Sequence, residues 1–334
     1  MRILQVSSAR TLGGGETHVL ELVDALRYLG HEVVVAGCRN GPLHPQIELP
    51  FFNSADFYTV LRLREILKRQ SFDIVHAHLA RDYTVTAAAA WGIPKVKLVC
   101  TRHLLYPVRR HPLYRRVDGW IATTSQVLKS LHPLAPKVST VIPNWVNAGK
   151  FVPRPRLLRA EITIGLLGQI SPHKGHDTAI DAMRHLGDGF RLLVAGAGDP
   201  KYIAALNKRS IGLPVEFLGV VSPMDFFARI DLLIVPSWEE PFGIVVLEAM
   251  ASGIPVIATN RGGPADIIPS ALHGVLIPPK DSRSLADAVR SLAEDSERRA
   301  AISQHARTHI ERNFDIRTIV PRIEDFYRRV MMRS

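Results

Sequence analysis

The sequence predicts an α/β protein made of two doubly wound parallel-sheet domains facing each other across a cleft. Three observations carry this. Short apolar runs alternate with segments of helical period along the chain. The alternation stops at a Pro- and Arg-rich stretch, residues 147–160, and then restarts. The length of 334 residues exceeds one ordinary domain, and 46% hydrophobic against 22% charged residues lets two domains each build a core.

The first domain is expected over residues 1–146. Ile3–Ser7 reads as a strand. Thr17–Leu29 reads as a helix, because Val19, Leu20, Leu22, Val23, Leu26 and Leu29 recur at the helical period. Glu32–Gly37 is the next strand, Phe57–Lys68 an amphipathic helix, Ile74–Ala77 a short strand and Tyr83–Trp91 an alanine-rich helix. Lys97–Thr101 and Trp120–Thr124 complete the strands, and Val141-Ile142-Pro143-Asn144 ends this half. Strands separated by helices pair through crossovers, which gives a parallel sheet covered on both faces.

The second domain is expected over residues 161–312. Its strands are Ile162–Gly168, Arg191–Ala195, Val215–Gly219, Leu232–Pro236 and Val256–Thr259. Its helices are Asp177–Arg184, Lys201–Lys208, Pro223–Ala228 and Ser284–Leu292. Glu297–Met332 reads as helical with a break near Asn313–Asp315. Residues 313–334 are expected to pack back on the first domain as a C-terminal helix.

Charge is uneven. The formal net charge is +11, and residues 1–150 hold 19 Lys and Arg against 10 Asp and Glu. A basic half suggests a negatively charged surface or substrate. The chain has no helix-turn-helix signature, zinc spacing or aromatic RNA-binding motif, so no nucleic-acid partner is expected. Cys38 and Cys100 have no metal or redox spacing and read as buried thiols of a reducing compartment. Met1–Val6 runs straight into a strand and no apolar run reaches membrane-spanning length. A cytoplasmic protein is therefore expected, peripheral on the inner face of the membrane if it docks there.

In doubly wound sheets, ligands bind outside the C-terminal ends of the strands. Near the end of the chain, the run Leu232–Ser237 leads into Glu240-Pro-Phe-Gly-Ile-Val-Val-Leu-Glu248 and then Ala249–Gly253. This reads as strand, loop and helix, with Phe242-Gly243 opening the helix. Two carboxylates would accept from hydroxyls, and the helix start would favour an anion. A plain helix start with one dipole-favoured and one exposed glutamate fits the pair alone equally well. After the first strand, Gly13-Gly14-Gly15 lets backbone approach a ligand ahead of a helix. It is neither a dinucleotide fingerprint nor a Walker loop. Gly168-Gln169 and Lys174-Gly175 follow another strand, and Lys174 suits a phosphate as a point charge. Gly196-Ala197-Gly198 and Gly219-Val220-Val221 close two more strands and suit a base or ribose through backbone contacts. Gly262-Gly263 reads as a backbone anion site or a turn. His76 and His78 share strand spacing, with a structural role as open as a functional one for His76. His103, beside Arg102, is the better candidate for polar substrate contact. No metal site is expected, since further ligands at recognisable spacing are lacking.

Together these residues resemble a known family. Glu240 and Glu248 match the E-x7-E motif of retaining glycosyltransferases of the GT-B fold, glycosyltransferase family 4, the "glycosyl transferases group 1" type. Pro236-Ser237, the run Glu240–Val256, Gly262-Gly263, Lys174-Gly175, Gly219, Ile142-Pro143-Asn144 and Gly14-Gly15 follow the same pattern. The resemblance spans essentially the whole chain and implies two Rossmann-like domains. It implies a nucleotide-diphosphate sugar donor, with UDP, GDP or ADP unresolved, and no cofactor or metal. Glu240 would hold sugar hydroxyls, and the backbone of Phe242, Gly243, Ile244 and Val245 would lie near sugar and diphosphate. Glu248 would hold ribose. Lys174 would neutralise the diphosphate, helped by Gly14 and Gly15. His103 would sit by the transferred sugar, and with His76, His78 and Arg102 would mark the acceptor side. His103, Glu240 and Lys174 would be the catalytic set, donor binding also drawing on Gly168, Gln169, Gly198 and Val220. The chain departs from the pattern at Gln169, where arginine is usual, at Asp266, where glutamate is usual, and at Trp145 and Asn147.

The resemblance implies transfer to a glycan or lipid-linked acceptor in cell-envelope glycoconjugate synthesis. Phe57, Val60, Leu61, Leu63, Ile66 and Leu67 interleave with Arg62, Arg64, Lys68 and Arg69, a pattern suited to an anionic membrane as well as to an ordinary docked helix. Two alternatives stay open at this level: a nucleotide-sugar epimerase of the same fold, and a non-catalytic protein binding nucleotide-sugar or an anionic surface.

Overall fold

The computed structural model describes residues 1–11, 13–53, 56–106, 108–153 and 161–332. The expected linker therefore lies outside the described residues from 154 onward. The chain divides into two compact units, Met1–Asn144 with Ile316–Ser334, and Trp145–Asp315.

The first unit holds β1 (Arg2–Ser7), α1 (Gly14–Tyr28), β2 (Glu32–Cys38), β3 (Ile47–Leu49), α2 (Phe57–Arg69), β4 (Ile74–Ala77) and α3 (Ala80–Ala89). It continues with β5 (Lys97–Arg102), β6 (Gly119–Ala122), α4 (Ser125–Leu131) and β7 (Ser139–Val141). The seven strands are parallel in the order β3-β2-β1-β4-β5-β6-β7. β1 lies inside the sheet between β2 and β4, with Ile3 opposite both Val33 and Ile74. Five of its six residues are buried, as a strand covered on both faces requires. Asp56 caps α2 by accepting from Thr59 N at 2.9 Å, and Thr124 caps α4 through Val127 N at 3.0 Å.

The second unit holds β8 (Ile162–Leu167), α5 (His176–Leu186), β9 (Phe190–Ala195), α6 (Pro200–Arg209), β10 (Val215–Phe217), α7 (Pro223–Phe227) and β11 (Leu232–Val235). It continues with α8 (Ile244–Ala251), β12 (Val256–Thr259), α9 (Gly263–Ile267), β13 (Val275–Ile277), α10 (Ser282–Glu294) and α11 (Ser296–Asn313). Its six parallel strands run β10-β9-β8-β11-β12-β13. The aspartates Asp199, Asp281 and Asp295 cap α6, α10 and α11.

The last helix, α12 (Ile316–Met332), belongs to the first unit. Its Phe326 and Val330 pack on Gly119 of β6, where a Cβ would come within 2.8 Å of both side chains. His31 Nε2 meets Glu324 at 3.0 Å, both groups largely buried.

The structure corrects several element bounds. α1 starts at Gly14, not Thr17, and α3 runs Ala80–Ala89, not Tyr83–Trp91. The first turns, Gly14-Gly15-Glu16 and Ala80-Arg81-Asp82, hold no large apolar residue that would mark a helical period. The helix after Glu240 opens at Ile244: Gly243 is its left-handed N-cap (φ 95°), and the Phe242 ring is buried in the core. The three-residue edge strands β3, β7 and β13 and the short helices α4 and α9 escaped prediction, being too short to show a period.

Candidate active site

In the second unit, β11 delivers Pro236-Ser237 and then Glu240 to the C-terminal edge of the sheet. The Glu240 backbone is clamped against the loop after β12. It bridges Gly262, and Gly263 N–H donates to Glu240 O at 2.8 Å. The approach is so close that a Cβ on Gly262 (φ 81°) would lie 2.0 Å from Glu240 O, and one on Gly263 2.1 Å from Phe242 O. Only glycine meets both demands.

The Glu240 side chain is held as firmly. Lys174 ends the short 3-10 turn Pro172–Lys174 after β8 and donates through Nζ to Glu240 Oε2 at 2.6 Å. Ser237 Oγ donates to the same oxygen at 3.0 Å, and Thr259 Oγ1 of β12 donates to Ser237 O at 2.7 Å. Trp238 N–H donates to His173 O at 2.8 Å, which stitches the two loops together. Oε2 is thus occupied twice, while Oε1 has no hydrogen-bond partner among the described residues. Glu240 is 7% exposed and Lys174 half-buried, and charge-assisted bonds set the geometry of the pair.

Beside this pair, α8 begins with no side-chain cap. Its first N–H groups and its dipole suit an anion. Ile244, Val245 and Glu248 form the half-buried face of α8, while Val246, Leu247, Ala249 and Met250 pack into the core. Glu248 therefore shares a face with the first turn. Gly168 and Gln169 follow β8, Gln169 exposed, and Ile170 bridges Gly198 after β9. Val220, 78% exposed, follows edge strand β10, two strands from β8 and three from β11.

In the first unit, α1 likewise starts uncapped, with Gly13 at the N-cap and Gly14 and Gly15 in its first turn. His18, one turn on, is buried, and its Nδ1 lies 3.2 Å from Gly14 O. His103 follows β5. Burial, then the charges of His18 and Arg102, push its pKa down to about 4, so it is neutral at neutral pH. Arg102 is 5% exposed; it donates to Tyr106 O at 2.6 Å, and its Nε is buried without a partner among the described residues.

His76 and His78 have a different role from the acceptor contact expected. His76 is 1% exposed, and both ring nitrogens are engaged at 2.6 Å, Nδ1 with Tyr327 Oη of α12 and Nε2 with Thr101 Oγ1. Burial, then His103, pushes its pKa to about 3. His78 Nε2 lies 2.7 Å from Gln5 Oε1, and burial keeps its pKa well below the ordinary value. The two rings stack with centroids 4.2 Å apart. This is a satisfied buried network rather than a substrate surface. Its strand spacing was visible in sequence; Tyr327, 251 residues away, was not. Ser237, Thr259 and His18 were not among the expected site residues, although Pro236-Ser237 belongs to the matched pattern.

Among the described residues no group of three or more His, Cys, Asp or Glu could hold a metal ion. Cys38 and Cys100 are both free and buried. No helix of the described residues is long and apolar enough to cross a membrane.

Residues 12–150 match the family model for Glycosyltransferase Family 4, and residues 154–309 match that for Glycosyl transferases group 1. The chain belongs to the GT-B glycosyltransferases of family 4. Glycogen synthase of Mycobacterium tuberculosis is 28% identical to this glycosyltransferase, over 98% of this chain and 94% of that one. The lipopolysaccharide core biosynthesis mannosyltransferase LpsB of Rhizobium meliloti is 25% identical, over 99% and 98%. The crystal structure of Anabaena Alr3699/HepE in complex with UDP and glucose shares the fold with a TM-score of 0.86 at 21% identity, over 98% of this chain and all of that one. The catalysed class is sugar transfer.

Proposed function

We propose that this glycosyltransferase moves a sugar, with retention of anomeric configuration, from a nucleotide-diphosphate sugar to a glycan or lipid-linked acceptor of the cell envelope. The observation that carries the reading is the split use of Glu240. Lys174 and Ser237 hold Oε2, and Oε1 is left for a sugar hydroxyl beside an uncapped helix start. The diphosphate would lie against the first N–H groups of α8 with Lys174 as its counter-charge. Negative charge grows on the leaving diphosphate as the sugar–oxygen bond breaks, and donors already in place stabilise it without reorganising. This assignment needs no divalent metal. Retention fits attack by the acceptor hydroxyl on the face the diphosphate leaves, since Glu240 is committed to two donors and is not set up as a covalent nucleophile. His103, held neutral, can accept or donate one hydrogen bond to the reacting sugar.

The Mycobacterium and Rhizobium relatives support a glycan or lipopolysaccharide acceptor, and UDP bound to the Anabaena neighbour supports a uridine nucleotide. On α2, exposed Phe57, Tyr58 and Leu61 beside Arg62 and Lys68 support docking on an anionic membrane.

A thermal-shift panel of UDP-, GDP- and ADP-sugars, followed by turnover with Lys174→Ala, tests the proposal. One donor should stabilise the protein, and the variant should lose at least a hundredfold in kcat. Unchanged turnover in Lys174→Ala would sink it. Epimerised donor in the absence of acceptor, or donor binding with no turnover on any acceptor, would replace it with the epimerase or sensor reading.

A further inference from the structure

Three arginines of the first unit stand at the C-terminal ends of adjacent parallel strands. Arg10 follows β1, Arg81 opens α3 just after β4, and Arg102 ends β5. Among the described residues none of them pairs with a carboxylate. Arg10 Nη2 and Arg81 Nη1 donate to one and the same oxygen, the carbonyl of Phe51, at 3.3 and 3.2 Å. That carbonyl is fixed in place: Phe51 is fully buried, with φ 47°, and its N–H donates to Thr59 Oγ1. Two guanidinium groups are therefore held side by side on a single neutral acceptor. Like charges so placed repel, and each has five N–H donors of which one is used.

Arg102 makes the same point from inside the fold. It is more than nine-tenths buried, donates to the Tyr106 carbonyl and meets the Tyr83 hydroxyl, pairs with no carboxylate among the described residues, and leaves its Nε orphaned. A buried guanidinium without an anion is costly, and the cost is removed when a ligand supplies the anion. Asp82, next to Arg81 in sequence, does not fill the role. Its oxygens accept from the N–H groups of Ser8 and Leu79, and burial raises its pKa to about 7.

We infer that the strand ends of the first unit form an anion subsite, built by Arg10, Arg81 and Arg102, and that the acceptor of this transferase carries a phosphate or carboxylate group. The inference rests on the sugar-transfer reading above and names the acceptor's chemical class. Planar guanidinium forks match both anions bidentately, which a neutral glycan would not exploit. The phosphate could belong to a lipid headgroup or to a soluble phosphorylated glycan, and the chemistry of the subsite is the same for both.

The test uses the full chain and two arms. In the first, glucose 6-phosphate, glucuronate and glucose are titrated calorimetrically. In the second, flotation compares vesicles of phosphatidylcholine with and without phosphatidylglycerol. At least one anionic probe should bind tenfold or more tightly than its neutral counterpart. The double variant Arg10→Gln/Arg81→Gln should lose that preference, and Arg102→Gln should weaken it, with partial rescue in Arg102→Lys. A response confined to vesicles assigns the anion to a lipid headgroup, and a response to the soluble probes assigns it to a phosphorylated or acidic glycan. Arg109→Gln/Arg110→Gln, which removes two exposed charges of the same unit, should leave the preference intact. No anionic preference in the wild-type chain, or a preference that survives in a correctly folded Arg10→Gln/Arg81→Gln protein, overturns the inference. Nucleotide affinity, measured in parallel with UDP, GDP and ADP, should not change in these variants. Failure of the donor reading would appear there instead, with the arginine result unaffected.

Discussion

The two units treat charge in opposite ways. In the second, the key cation and anion satisfy each other: Lys174 and Glu240 meet at 2.6 Å, and Ser237 adds a third bond to the same oxygen. In the first, three strand-end arginines pair with no acid among the described residues, and three histidines are driven to the neutral state by burial. A preorganised, self-compensated cluster suits a ligand whose chemistry does not vary, the donor of a transfer reaction. Uncompensated cations suit a ligand that brings its own negative charge. The contrast teaches that one fold repeated twice has been given complementary electrostatic tasks.

The largest effect should come from breaking the compensated cluster. Glu240→Gln keeps the shape but leaves Lys174 without its anion. It should lower kcat by roughly 10² to 10³, the range seen when one preorganised group at a charged transition state is removed, with the far-ultraviolet circular dichroism unchanged. An unaltered kcat would make the pair structural. Gly262→Ala strikes the same cluster through the backbone. A Cβ 2.0 Å from Glu240 O, at φ 81°, should cost about 3 kcal/mol or more. Chemical denaturation should report the loss.

The first unit should respond to acid instead. The folded pKa of His76, about 3, lies below the ordinary value of 6.5. Between those limits the unfolded chain takes up a proton that the folded chain refuses. Stability is therefore complete above about pH 6.5 and falls with pH toward 3, by about 1.4 kcal/mol per pH unit for each such histidine. Urea midpoints at pH 7 and pH 5 measure it; equal midpoints would mean that the network holds a proton. By the same reasoning, kcat should show no histidine step near pH 6.5 from His103, whose pKa is about 4. Tyr327→Phe removes the 2.6 Å partner of His76 Nδ1 and should cost about 1–3 kcal/mol without changing donor KM. The smallest change is expected for Lys280→Ala, which removes an ammonium 3.9 Å above the Trp238 ring, worth about 0.5–1 kcal/mol. A large rise in donor KM there would extend the donor cluster to the Trp238 loop.

Legibility in the sequence followed the range of the interactions. Lys174 and Glu240 announced themselves because each sits in a loop whose composition is local: a strand, then Gly-bounded or Pro-Phe-Gly residues, then a helix. His103 and Arg102 were visible as polar residues ending an apolar strand. Ser237 and Thr259 were hidden because a serine and a threonine at strand ends are common, and only their distances to Glu240 and to each other distinguish them. His76 and His78 looked functional because spacing shows which face a side chain takes, not what covers it. Arg10 and Arg81 attracted no notice because their shared acceptor, Phe51 O, is a backbone atom 41 and 30 residues away.

Local pattern was enough to determine the α/β class, the repetition of the doubly wound unit, most strands and helices, and the loops proposed for the donor. Those properties depend on hydrophobic period, caps and turn residues within about ten positions of one another. Tertiary structure alone decided that the C-terminal helix contributes Tyr327 to the histidine network and, among the described residues, that Glu240 has one held and one open oxygen and that three arginines share strand ends without an acid. Each is a matter of which groups are brought together and which are left unpaired across tens to hundreds of residues. Pairing of that kind is set by the packing of whole elements, and no window of sequence contains it.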